Sequence, residues 1–431
     1  MGFQHGLSGL KAASTNLDVV GNNIANANVV GFKQSQAQFS DVFANSLGGA
    51  GSNQVGIGTQ VTAIAQQFSQ GNISNSNNPL DIAIVGGGFF RMSDNGAISY
   101  SRNGQFHLDS NGFLVNADNL NVTGFAANQS GQILADTPAN LQLSTAELTP
   151  QATSKFAAGV NLDSRTDVPA PLPAFDATNP ATYASSTSGA IFDSLGNSHT
   201  LTLFFQKTTP TTPTTPATWE IFAAVDGATD AAGQPVGVTL GPSASLKMDF
   251  DTNGALTAPA GPITASVDLP AIATNLGRAD WGATTPLDFS FDLTSSTQFG
   301  SNFGVNKLSQ DGFTSGRLAG FSVSDDGTIQ GNYTNGQNIT LGQVVLASFA
   351  NTNGLKPQGR NQWLETADSG LPLVGVPLSG TLGSLQSAAV EESNVDLTTE
   401  LVSLITAQRV YQANAKTIET QDAVLQTLVN L

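Results

Sequence analysis

Three histidines, His5, His107 and His199, are the only imidazoles in the chain, and cysteine is absent. General acid–base catalysis needs a positioned titratable group within reach of a reacting proton. His5 falls in an apolar-periodic N-terminal stretch, and His107 and His199 fall in hairpin patterns, so none is expected to be catalytic. Without cysteine there is no disulfide framework, thiol chemistry or Cys-based zinc site. Asp249-Phe250-Asp251-Thr252-Asn253-Gly254 copies the first half of a calcium loop, but Ala260 stands at the twelfth position, where a bidentate Glu belongs. It reads as a tight turn. Asp325-Asp326-Gly327 and the run Gly86 to Gly88 also read as turns, the latter lacking the Lys and Ser/Thr of a phosphate loop. No paired-carboxylate or metal constellation stands out. The chain is therefore expected to have no catalytic residue, metal or cofactor, and to work through its surfaces.

The elements that build those surfaces are clearest at the ends. The chain holds 45 glycines and 19 prolines among 431 residues, yet Ser384 to Leu431 contains neither. At that frequency about seven breakers are expected in such a stretch. A long terminal helix follows, with Ser393 and Asp396 fitting a capping box. Its near-heptad row runs Leu397, Leu401, Leu404, Gln408, Tyr411, Ala415, Ile418, Asp422, Leu425, Val429. Helical from Val395 onward, the segment would reach roughly 55 Å at about 1.5 Å per residue, which calls for a partner of similar length. The other terminus offers one: Leu10, Ala13, Leu17, Val20, Ile24 and Ala27 follow the same spacing, with Gly21 as the weak point. Both stripes have the period that lets helices wrap together. The two ends can pair, and paired helices can pack on further copies.

Charge agrees with crowded ends. The formal net charge is −17, but residues 1–33 carry only Lys11, Lys33 and Asp18, and residues 395–431 carry two basic against four acidic groups. Nearly all the negative charge lies in the body, which suits a soluble surface. Such a balance opposes binding to nucleic acid and to anionic membranes. No segment approaches the roughly 18 apolar residues of a membrane span, so no membrane insertion is expected. The N-terminus lacks a basic segment followed by an apolar core, so no cleaved secretory signal is expected. Charged residues are only 11% of the chain, a composition that resembles exported bacterial surface proteins. Export by a specialised route follows.

Between the ends, β structure dominates. Gly31 to Gly71 is polar with apolar anchors Phe39, Phe43, Val61, Ile64 and Phe68, and its secondary structure is ambiguous. From Pro79, short alternating runs are punctuated by Asn95-Gly96, Asn103-Gly104 and Asn111-Gly112, which read as hairpins. After about residue 148, His199, Leu201, Leu203 and Phe205 alternate on one face and Trp219, Ile221, Ala223 and Val225 on another. Thr208 to Pro216 repeats Thr-Thr-Pro three times and reads as an exposed loop. Asp311 to about Gly383 is again rich in hairpin signals, including Asp326-Gly327 and Asn335-Gly336. The fold expected is α+β and multidomain, with long terminal helices forming a coiled-coil-like inner domain and two nested, mainly antiparallel β domains. Its divisions are 1–33 with 394–431 (helical), 34–72 with 384–393 (connecting), 73–147 with 311–383 (middle β) and 148–310 (inserted β).

The termini resemble those of bacterial flagellar rod and hook proteins. The N-terminal match comprises Ser8-Gly9-Leu10, Leu17 to Asn26 with Asn22, Asn23 and Asn26, and Gly31-Phe32-Lys33. The C-terminal match comprises Ser393-Asn394-Val395-Asp396-Leu397, Glu400-Leu401-Val402 and Gln408-Arg409-Val410-Tyr411-Gln412-Ala413-Asn414. Leu80 to Ile84, Gly88 to Phe90 and Tyr100 to Phe106 are shared by rod and hook types. Asp193 to His199, Gln310 to Phe313 and Gly331 to Gly336 resemble the hook branch, and residues 148–310 form an insertion that distal rod proteins lack. Val29-Val30 departs from the Thr that many relatives carry before the turn.

That resemblance implies a structural homopolymer: an extracellular curved tube that joins motor rod to filament and transmits torque while bending. It implies paired terminal helices lining an inner tube, one β domain in a middle layer and the inserted domain outermost. Further partners implied are the distal rod protein, the hook–filament junction protein, the hook cap and the flagellar type III export apparatus. Unpaired apolar stripes are costly to expose, so both ends are expected to order on assembly. A rod-type axial protein with an unusual insertion is the alternative within the class. A secreted β-rich adhesin or binding module, with a small closed oligomer and a ligand pocket, is the alternative outside it.

Overall fold

The computed structural model describes residues 2–42, 56–128, 131–135, 137–168, 171–209 and 217–429. Phe43 and most of the Thr-Thr-Pro repeat lie outside them. The chain is mostly β, with three α-helices among the described residues: α1 (Gly2–Ala25), α2 (Leu269–Asn275) and α3 (Leu397–Val429). Two compact units divide it. One takes Met1–Thr145, Ala319–Asn332 and Asn338–Leu431; the other takes Ala146–Leu318 and Tyr333–Gln337.

In the first unit, both chain ends meet. α1 is followed by the antiparallel pair β1 (Ser35–Val42) and β2 (Gly58–Gln66), with a bulge at Gln38/Phe39. The described part of the ambiguous segment thus centres on a two-stranded ribbon. β3 (Ile73–Asn75) pairs with Ala389–Glu391, and β4 (Ile82–Val85) with Ser384–Ser387, so the chain leading into α3 is stitched to the chain leaving the ribbon. β5 (Phe89–Asp94) and β6 (Ala97–Ser101) form a hairpin whose turn residues Asn95 and Gly96 have φ of 48° and 100°, the left-handed pair that a tight hairpin of this twist demands. Asn121–Ala126, Asn338–Val344 and Gln362–Leu364 extend this sheet.

Asn103-Gly104 is no hairpin. The two residues join no pair of strands, and a β-carbon on Gly104 would stand 1.7 Å from the Ile82 carbonyl oxygen. Glycine is required by the close approach, and the Ile82 amide donates to the Gly104 carbonyl at 2.9 Å. The core beside it contains Ile82, Ile84, Phe90, Met92 and Phe106. A satellite core joins Phe89, Tyr100, Leu355 and Trp363 with Phe68, whose ring packs edge-on against Phe89 and Trp363.

The second unit is a sandwich. Ser185–Phe192, Ser198–Lys207, Thr218–Val225, Ser245–Phe250 and Leu256–Ala258 form an antiparallel sheet. The other sheet is mixed, because Lys155–Asp163 runs parallel to Leu287–Asp292 and Thr297–Phe299 but antiparallel to Gly304–Gln310. Leu201, Leu203, Phe205, Trp219, Ile221 and Val225 point into one core with Phe156, Phe289 and Phe291. Alternation puts every second residue of a strand on the same face, which is why these residues share it. Asp251 accepts from the amides of Asn253 and Ala255, both at 2.8 Å, closing the turn that resembled a calcium loop.

Candidate assembly interface at the paired chain ends

α1 and α3 run antiparallel along one another. Gly6 of α1 stands against Ile418, Gly9 against Asn414, and Asn23 against Glu400, so steps up one helix match steps down the other. The seam is built from small residues. A β-carbon on Gly6 would come within 2.8 Å of Ile418 Cγ1, and one on Gly9 within 2.6 Å of Asn414 Oδ1. Bulky side chains would hold the helices further apart.

Residues of the expected stripes are distributed unevenly. On α1, Ala13 and Val20 are buried, and Leu10, Leu17 and Ile24 are half-buried. On α3, Leu404, Ala415 and Ile418 are half-buried, whereas Leu397, Leu401, Gln408, Tyr411 and Leu425 are exposed. The deepest α3 positions are Glu400 and Ala407, neither of which belongs to the bulky apolar row. The helix carries two flanks: a small-residue one against α1, and an apolar one facing outward with Leu397, Leu401 and Ile405 at 43–49% exposure.

Helix starts and stops are set locally. α3 begins at Leu397, two residues later than its pattern suggests, because Asp396 is the cap. Its carboxylate accepts from the amides of Thr398 at 2.8 Å and Thr399 at 3.3 Å, which holds its pKa below the usual carboxylate value. Ser393 only accepts from Val395 at 3.3 Å and does not cap the helix. Past α1, the Asn26 amide side chain donates to the exposed Asn22 through its carbonyl and side-chain oxygens. Gly31 then turns the chain with φ of +71°.

Beside the seam, polar groups tie the ends to the ribbon. Asn23, 1% exposed, pairs through its side chain with both backbone groups of Ser35 and approaches Glu400 at 3.4 Å. Gln34 donates to the same Glu400 oxygen. Asn394 accepts from the Gln34 amide and donates to the Gln67 carbonyl, each at 2.8 Å. Lys33 is buried with its ammonium 2.6 Å from Glu391, whose other oxygen meets Arg102 at 3.1 Å. Burial pulls both cations below their ordinary pKa values, and Glu391 opposes that shift. Phe32 is half-buried, and Arg409 is exposed on α3. Neither Glu391 nor Arg102 stood out as a site residue in the sequence. Their burial is what marks them, and no local sequence pattern gives that.

An open groove of about 640 Å³ lies between α1, α3 and the β1–β2 ribbon, lined by Gly9, Ala12, Phe39, Val402 and Val410 among others. His5 at its edge contacts the Gly56 carbonyl at 2.7 Å. Among the described residues, no group of three or more His, Asp or Glu could hold a metal ion. No helix among them is long and apolar enough to cross a membrane. What the geometry offers is surface.

Four family models match in order: flagella basal body rod protein at residues 3–33, flagellar hook protein FlgE/F/G D1 domain at 83–154, flagellar basal body protein FlaE D2 domain at 161–313, and flagellar basal body rod FlgEFG protein C-terminal at 386–431. Together they set the class, a structural protein of the flagellar rod and hook group. The flagellar hook protein FlgE of Escherichia coli (strain K12) is 39% identical over 437 residues, with both chains covered completely. FlgE of Salmonella typhimurium (strain LT2) is 38% identical with the same coverage, and FlgE of Treponema pallidum (strain Nichols) is 31% identical, covering 99% of this chain and 98% of that one. The chain belongs to the flagellar hook protein family. A crystal structure of Helicobacter pylori flagellar hook protein FlgE2 shares the fold, with TM-score 0.52 and 14% identity over 74% of this chain and 99% of that one.

Proposed function

We propose that this hook-family subunit polymerises through the outward apolar flank of α3, with α1 and α3 lining the inside of a curved tube. One observation carries the reading. After α3 has paired with α1, Leu397, Leu401 and Ile405, one above another at four-residue steps, remain 43–49% exposed. Fully burying one such side chain contributes about 1.5–3 kcal/mol, and a contiguous exposed row of them marks an interaction surface. Neighbouring copies supply the matching rows, and ordering of the ends is linked to subunit addition.

The reading assigns residues 1–33 with 394–431 to an inner helical layer, 34–72 with 384–393 to a connecting segment, 73–147 with 311–383 to a middle layer and 148–310 to an outer one. The inner layers hold subunits together under torque, while polar outer contacts slide as the tube bends. The subunit then works outside the cell, reached through the flagellar type III export apparatus without a cleaved signal. It meets the distal rod protein at one end of the tube, and the cap and then the hook–filament junction protein at the other. Negative-stain electron microscopy of concentrated protein in precipitating salt tests this reading. Curved tubes support it, straight tubes favour a rod-type subunit, and discrete particles even with cap protein added would favour the binding module.

A further inference from the structure

Glu391 gathers four stretches of chain around one buried carboxylate. Its Oε1 accepts from Lys33 Nζ at 2.6 Å and from the Gly71 amide at 2.9 Å; its Oε2 accepts from Arg102 at 3.1 Å; its carbonyl accepts from the Gly31 amide at 2.7 Å. The cations are anchored in turn, Lys33 on the Ser69 carbonyl and Arg102 on the Gly86 carbonyl, both at 2.8 Å. Lys33 and Glu391 side chains are fully buried and that of Arg102 is 4% exposed. Two cations thus share one anion out of water. Either cation left with a neutral residue at 391 would be a buried charge without its counterion, an arrangement that opens the structure instead of persisting.

We propose that Glu391 is a root clamp that holds the two chain ends side by side where they leave the β-structure, whether or not the helices beyond it are paired. Lys33 follows the end of α1 at Ala25 and Glu391 precedes the start of α3 at Leu397, with a short stretch between in each case, so neither end can leave without breaking the clamp. Closing α1 on α3 then becomes an intramolecular step at high effective concentration, and the antiparallel match of Gly9 with Asn414 is set from the root. Glu391 is a positioning residue: its side chain is fully buried within one chain, and its role does not depend on whether the chain polymerises.

Amide-resolved hydrogen–deuterium exchange on soluble full-length protein tests the clamp. Gly31, Gly71 and Glu392 are the reporters, since their amides donate to Glu391 O, Glu391 Oε1 and Asn72 O. In the natural protein all three should exchange about a hundredfold or more slower than open chain, even where amides midway along α1 and α3 exchange freely. Glu391→Gln should accelerate all three by about tenfold or more, with strands Ser198–Lys207 and Thr218–Val225 unchanged. Lys33→Met keeps the Arg102 pair and removes surplus positive charge, so Glu392 protection should stay within about threefold. Open-chain rates at the three reporters in the natural protein would overturn the clamp. So would a response to Glu391→Gln confined to Gly71, or an equal loss in Lys33→Met. If Glu391→Gln unfolds the whole first unit, the natural and Lys33→Met arms still decide. Tube formation is read separately by microscopy, so failure of the polymer reading and failure of the clamp are distinguishable.

Discussion

The side chain of Asn414 occupies the space that a β-carbon on Gly9 would need, 2.6 Å from that position, while its Nδ2 donates at 2.9 Å to the Val410 carbonyl one turn earlier. Helix-to-helix contact at the chain ends therefore depends on a missing side chain as much as on apolar ones.

Glycines of α1 should respond oppositely to substitution. Gly21 has nothing within 4 Å of where a β-carbon would go, so Gly21→Ala should add about 0.5–1 kcal/mol through helix propensity. Gly9→Leu should cost about 1–3 kcal/mol by overpacking the seam. Thermal unfolding of polymerised protein, followed by circular dichroism at 222 nm, checks both signs. Equal effects would contradict the seam.

Gly31→Ala should damage the turn after α1 despite being the smallest possible change. Its φ is +71°, and the added carbon would lie 2.6 Å from the Asn103 backbone nitrogen, which cannot rotate away. The left-handed conformation alone costs about 1–2 kcal/mol, and the clash adds to it. Loss of exchange protection at the Gly31 amide is the expected signature.

Acid should loosen the start of α3. Asp396 has a depressed pKa because the amides of Thr399 and Thr398 donate to its ionised form. The folded state binds that proton less readily than the unfolded chain does, so the stabilisation is present above the unfolded carboxylate value and is lost as pH falls through the folded one. Asp396→Ala should remove this part of the acid dependence. Backbone exchange at Thr398 and Thr399 measured across that pH range should be flatter in the variant.

Trp219 should tolerate Phe far better than Ala. Its ring is 1% exposed in the core of the second unit, and among the described residues its indole nitrogen has no hydrogen-bond partner. Trp219→Phe keeps most of the buried ring and removes an unpaired donor, whereas Trp219→Ala should cost about 3–5 kcal/mol. Chemical denaturation monitored by circular dichroism separates the two, and a similar loss for both would contradict this account of the core.

Local signals were the legible ones. Alternation at Leu201, Leu203 and Phe205 places all three in the core, because period two is fixed by strand geometry. The long C-terminal helix was readable from its lack of breakers. Its partner-facing side was not, since Glu400, Ala407 and Asn414 are polar or small and a hydrophobic row favours bulk. The sequence pattern points to Ser393 as the cap with Asp396 reaching back, whereas the capping bonds fall on Asp396 alone. Lys33 and Glu391 are 358 positions apart, and nothing local in either stretch signals that they meet. Asn103-Gly104 looks like its neighbours, yet the glycine serves the approach of Ile82 and no hairpin.

The central claim is that the outward flank of α3 joins copies. Its most direct measurement is negative-stain microscopy of Leu401→Asp/Ile405→Asp in precipitating salt, beside the natural protein. Both positions are 49% exposed, so the units should fold unchanged by circular dichroism. The account predicts curved tubes from the natural chain and none from the variant. Tubes of normal appearance from the folded variant would contradict it.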